Sequence, residues 1–185
     1  MKNRLLSLLF SLGFAFTCSG LPAFASKDAK TDAPERKPKL ILNAAEATPE
    51  YSYDKWDKKV MPVKAGLLVD APSGQGGFGA NNLKIDVDGV KEIEAIFYTG
   101  RENAMQTVSI SLIDLFGSEI GWTVRIDQIA PVQAVIFRLK LSEGKLTLKS
   151  KRTSFDFTDI KGYQIKGDWN EQPAQFTVVG IRARF

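Results

Sequence analysis

The chain has 185 residues, 25 basic against 21 acidic, with one cysteine and no histidine. Without histidine, Ser-His-Asp and Cys-His catalysis and histidine-liganded zinc, iron or copper are excluded; carboxylate-pair chemistry and an all-oxygen calcium site survive. No Lys/Arg cluster is interleaved with aromatics, so the small surplus of bases is an ordinary surface and not a nucleic-acid footprint.

Residues 1–25 have the pattern of a signal peptide: Lys2 and Arg4, then the largely apolar run Leu5–Phe16, then Ala23-Phe24-Ala25 before Ser26. The run is shorter than the roughly 20 apolar residues a membrane-spanning helix needs, and no later segment approaches that length. Thr17 stands where a lipoprotein signal wants a small residue before Cys18, so cleavage after Ala25 is expected to remove the cysteine. The exported chain, periplasmic or secreted, then has no disulfide and depends on its core. Residues 26–38, "SKDAKTDAPERKP", carry almost no apolar bulk and are expected to be a disordered spacer. The folded domain is expected over 39–185.

In "YSYDKWDKK", Tyr51, Tyr53 and Trp56 stand among charges, either as a sheet edge covered by its own aromatics or as an exposed stacking platform. "SGQGGFGANN", 73–82, is glycine-rich around Phe78. A phosphate loop would need a following helix and a lysine; a close backbone approach, an edge bulge or a surface loop fits better. From here apolar and polar residues alternate, the mark of half-buried strands. "NLKIDV" puts Leu83, Ile85 and Val87 on one face; "EIEAIFY" follows an Asp88-Gly89 turn. "TVSISLID" and "IGWTVRID" flank the turn "LFGSE" and align Val108, Ile110 and Leu112 with Ile120, Trp122 and Val124. "VIFRLKL", "KLTLKS" and "GYQIKG" follow, and "FTVVGIRARF" aligns Val179, Ile181, Ala183 and Phe185. No stretch has helical spacing between a cap and a stop. The expected fold is all-β, two antiparallel sheets packed face to face.

"FDFTDIKGYQI" echoes "IDVDGVKEI" with Asp156 on Asp86. The spacing fails as an EF-hand, because the glycine comes too early and the bidentate glutamate is missing. An architectural role is expected: each Asp accepts backbone amides of a turn that leads into a strand, in two comparable corners of the sandwich.

"LKIDVDGVKEIEAIFYTG", "VSISLIDLFGSEIGWTV" with its Asp114–Gly117 hairpin, "FDFTDIKGYQIKGDW" and the closing "FTVVGIRARF" come in an order that resembles the galactose-binding-like jelly rolls. These include several carbohydrate-binding module families of secreted bacterial proteins. The resemblance covers residues 65–185 through loose, mostly structural motifs. It implies a jelly-roll β-sandwich, a carbohydrate partner, and room for a structural calcium held by carboxylates and carbonyls near the sheet edges, to which no residue here is mapped; no other cofactor is expected.

Sugar sites stack a pyranose C–H face on an aromatic ring and pair its hydroxyls with Arg, Asn, Asp and Gln. Trp169, with Asn170 and Gln172 nearby, suits that chemistry; its alternative role is to plug the end of the sandwich. The outward set includes Tyr98, Ser109, Ser111, Arg125, Arg138 and Gln164, with Glu94, Arg182 and Arg184. One concave sheet gathering Tyr98, Arg125, Arg138, Gln164 and Trp169 would be the ligand site. Every carboxylate has a turn or surface explanation, so no catalytic residue is assigned. The expected function is an exported, non-catalytic carbohydrate-binding module. Its alternatives are an envelope interaction or assembly protein without a sugar site, and a carboxylate-dependent glycan hydrolase or lyase.

Overall fold

A computed structural model describes residues 36–44, 48–149 and 151–185. The signal peptide and nearly all of the spacer expected before residue 39 lie outside them. The described residues form two six-stranded antiparallel sheets. The strands are β1 (Lys39–Asn43), β2 (Tyr51–Asp54), β3 (Val60–Val63), β4 (Gly66–Ala71), β5 (Gly76–Ala80), β6 (Glu92–Thr99), β7 (Thr107–Asp114), β8 (Glu119–Arg125), β9 (Val135–Lys140), β10 (Lys145–Thr147), β11 (Ile160–Lys166) and β12 (Ala174–Arg184). A single 3-10 turn at Leu141–Glu143 is the helical content of the described residues. None of their helices is long and apolar enough to cross a membrane.

The first sheet runs β3-β4-β12-β6-β9, with β1 beside the second half of β12; the other runs β10-β8-β7-β11-β5-β2. Alternation builds the core as expected. Val108, Ile110, Leu112 and Ile165 point inward from the β10–β2 sheet, and Ile93, Ala95, Phe97 and Phe176 meet them from the β3–β9 sheet, all fully buried. A chain of rings crosses the interior: Tyr163, Phe78, Trp56, Phe176, Phe97 and Phe137, with neighbouring centroids 5.5–6.5 Å apart. Each large apolar side chain buried this way contributes roughly 1.5–3 kcal/mol, the main term opposing chain entropy in a sandwich without disulfides. Trp122 is core, its indole N–H donating to the Lys140 carbonyl at 2.9 Å.

Three expectations change. "NLKIDV" is not a strand: Ile85 makes one isolated bridge to Ile160, because Asp86 Oδ1 accepts the Asp88 N–H at 2.8 Å and turns the chain. In β12 the register shifts between Val178 and Gly180. This bulge switches parity, so Val178, not Val179, is buried in line with Ile181 and Ala183. Of the three readings of the glycine-rich segment, the edge bulge and the surface loop fall, while the close backbone approach holds. The segment's centre is β5, paired on both sides and fully inside its sheet.

The repeated motif has a local answer. Asp156 Oδ1 accepts the Thr158 N–H at 3.0 Å and hydroxyl at 2.6 Å, matching the turn that Asp86 makes. The two corners are not distant counterparts: Val87 N–H donates to the Phe157 carbonyl at 2.8 Å, and Ile85 bridges Ile160. The similar segments lie side by side.

Candidate functional site

The outer face of the β10–β2 sheet is organised in rows by strand register. One row reads Tyr53, Gly77, Lys166, Ser109, Thr123; the next reads Tyr51, Gly79, Gln164, Ser111, Gly121, Lys145. "YSYD" alternates, so both tyrosines leave the core together. "GGFGA" alternates too, sending Phe78 inward and presenting Gly77 and Gly79 outward. Those glycines are required by a close approach. A Cβ on Gly77 would meet the Tyr53 hydroxyl at 2.4 Å, and one on Gly79 the Tyr51 hydroxyl at 2.5 Å. The tyrosine rings therefore lie across a bare strand, near-parallel at 22° with centroids 6.3 Å apart.

Tyr53 is anchored by Gln164, whose Nε2 donates to its hydroxyl at 3.1 Å. Both phenols resist ionisation. Partial burial raises Tyr51, with help from the charges of Glu119 and Glu50. Burial, then Tyr51, Asp54 and Glu119, push Tyr53 up to about 12. Both rings thus stay neutral hydrogen-bonding plates throughout the physiological range. Beside them a trough of about 300 Å³ is lined by Ser109, Ser111, Glu119, Thr123, Lys145 and Lys166 among others. Ser109 and Thr123 hydroxyls bond each other at 3.1 Å.

The five residues expected to converge do not. Gln164 sits beside the tyrosines. Arg125 shares their face but at the far end of β8, with Nε donating to Asp127 at 3.1 Å. Tyr98 and Arg138 are on β6 and β9, the other side of the sandwich. Trp169 follows β11 in a loop, 53% exposed, with a left-handed φ of 60°. The Asp168 carboxylate holds that loop through the backbone of Gln106 and Asn170. Parity is local, whereas sheet membership depends on crossovers that no residue pattern states, so residues from two faces were grouped as one. Tyr51 and Tyr53, read with Trp56 as a covered edge or a stacking platform, stood outside that set of five; they lie on the edge strand β2, and their placement over β5 needed "YSYD" read with "GGFG". Trp56 separates from them: it is fully buried, its indole N–H donating to the Ser73 carbonyl at 2.9 Å.

Among the described residues no three Asp, Glu, His or Cys side chains are grouped to hold a metal.

Two antiparallel sheets packed face to face, with sequence neighbours often on opposite sheets, have the architecture of a jelly-roll β-sandwich. Comparison with solved structures places the chain in that class. It superposes on the family 11 carbohydrate-binding module of the cellulosomal cellulase Lic26A-Cel5E of Clostridium thermocellum with a TM-score of 0.55 and 14% identity, covering 80% of this chain and 94% of that one. The Clostridium thermocellum family 11 module in complex with a β-1,3-1,4-mixed-linked tetrasaccharide gives 0.52 at 12% identity, covering 79% and 94%. The agarase AgWH50C gives 0.59 at 11% identity over 80% of this chain, but the chain spans only 24% of that enzyme. No family model and no curated protein matches the sequence.

Proposed function

We propose that this is a non-catalytic carbohydrate-binding domain of an exported protein, and that it binds glycan on the tyrosine face of the β10–β2 sheet. The carrying observation is the Tyr51–Tyr53 pair laid over the glycines of β5, beside rows of serine, threonine, glutamine and lysine. Ring faces accept the apolar face of a pyranose. The flanking groups both donate and accept, as sugar hydroxyls require. The fold is shared with modules named for carbohydrate binding, and the N-terminal sequence pattern supports export.

A polysaccharide with the β-1,3-1,4-mixed linkage of the tetrasaccharide found with one similar structure is the first probe, within a panel of neutral and charged polysaccharides. In affinity electrophoresis, a retained glycan should bind Tyr51→Ala and Tyr53→Ala each roughly tenfold more weakly, about 1.4 kcal/mol. Retardation by no member of the panel, or equal retardation of the double variant, would sink this reading.

A further inference from the structure

The β7–β8 hairpin turns at Asp114–Gly117 with an unusual investment. The Asp114 carboxylate is fully buried. Its Oδ1 accepts the N–H groups of Phe116 at 3.0 Å and Ser118 at 2.7 Å, and its Oδ2 accepts that of Asp156 at 3.2 Å. Gly117 completes the turn at φ +81°. Bonds from one buried carboxylate to three backbone amides hold the tip rigid. Yet the side chains it presents, Leu115 and Phe116, are 53% and 49% exposed. A turn serving only to reverse the chain is made from small polar residues.

Cations surround this apolar pair. Arg152 lies over the Phe116 ring, 3.8 Å from its centroid. Lys149 passes 3.7 Å from the position of a Cβ on Gly117. Lys84 and Lys161 share a depression with Leu115 on the other flank. The acids nearby are Asp156 and Asp159, with Glu119 at the foot of β8; Asp156 is already engaged by Thr158 and lies 3.9 Å from Arg152.

We propose that the Leu115–Phe116 tip docks on an anionic lipid surface. The two apolar side chains would enter the boundary between headgroups and acyl chains, while Arg152, Lys149, Lys84 and Lys161 meet the phosphates. A rigid tip loses little conformational freedom on insertion. This inference is independent of the glycan reading, because the tip is not part of the tyrosine rows.

The test is co-sedimentation of the full chain with phosphatidylglycerol-rich vesicles and with vesicles of phosphatidylcholine alone. Binding is expected to the first and not the second, and to fall as salt is raised. The double variant Leu115→Ser/Phe116→Ser keeps the N-terminal apolar run and should retain its melting temperature. It should bind roughly tenfold less. In Phe116→Trp, the new indole should be quenched by brominated phosphatidylglycerol. Equal binding by the double variant, or an unquenched indole, overturns the proposal. So does a lipid-free dimer that Phe116→Ser abolishes, which would assign the tip to protein contact.

Discussion

The two sheets turn similar apolar faces to the core and opposite faces to solvent. On the β3–β9 sheet, Glu94 is buried although it points outward. Arg184 Nη1 reaches it at 2.9 Å, Arg182 Nε at 3.3 Å and Arg138 Nε at 3.7 Å. That face satisfies its own charges. On the β10–β2 sheet the outward groups are rings, hydroxyls and an amide among separate lysines, with bare backbone between them. A face whose charges are consumed internally offers a ligand little, whereas rings over glycine flanked by accessible hydroxyls offer more. This difference is the reason the proposed glycan site is assigned to the β10–β2 sheet.

Filling the glycine strand should break this contrast most severely. In Gly79→Ala the new Cβ would fall 2.2 Å from the Tyr163 carbonyl and 2.5 Å from the Tyr51 hydroxyl. Since one obstacle is backbone, the strand itself must shift. A loss of about 3 kcal/mol is expected from urea unfolding, with glycan binding lost too. An unchanged midpoint would mean that the tyrosines do not lie over β5.

On the other face, Glu94→Ala leaves three arginines facing one another. The expected loss is about 2 kcal/mol, below that of a fully buried pair because the arginines are partly exposed. Glycan binding should be untouched; a variant that folds stably and yet loses binding would place the ligand on the wrong sheet.

Tyr53→Phe removes only the hydroxyl that accepts from Gln164, and about 1 kcal/mol should go with it. Less than this, with intact binding, would reduce Tyr53 to a plain stacking surface.

The smallest effect is alkaline. Tyr53 ionises near its ordinary value of 10.0 when unfolded and at about 12 when folded. Between these values the unfolded chain has released the proton that the folded chain keeps, so stability falls as pH rises through the window and is unaffected below it. Tyr51 and Tyr163 are raised as well, chiefly by burial, and add in the same direction. Urea midpoints compared at about pH 9 and about pH 11 should drop less for Tyr53→Phe than for the native chain.

The strands of the second half were legible because alternation records burial residue by residue. Ile110, Trp122 and Phe97 lie where their parity puts them. The first half was harder: β2 and β3 are four residues each, and β5 is mostly glycine, so neither propensity nor alternation of bulk marks them. The turn role of Asp86 and Asp156 was legible, since such bonds span two residues. Their mutual pairing was not, because it joins positions 70 residues apart through the sheet order.

By itself, then, the chain determined its all-β class, the inward and outward sides of regular strands such as β7 and β8, and its exclusion of histidine chemistry, since each depends on composition or on neighbours one or two residues away. Only tertiary structure decided that Tyr51 and Tyr53 share a face with Gln164 while Tyr98 and Arg138 face the opposite way. Crossovers between sheets and the parity switch at Val178–Gly180 are settled by how the whole core packs, and long-range packing leaves no periodic trace along the chain.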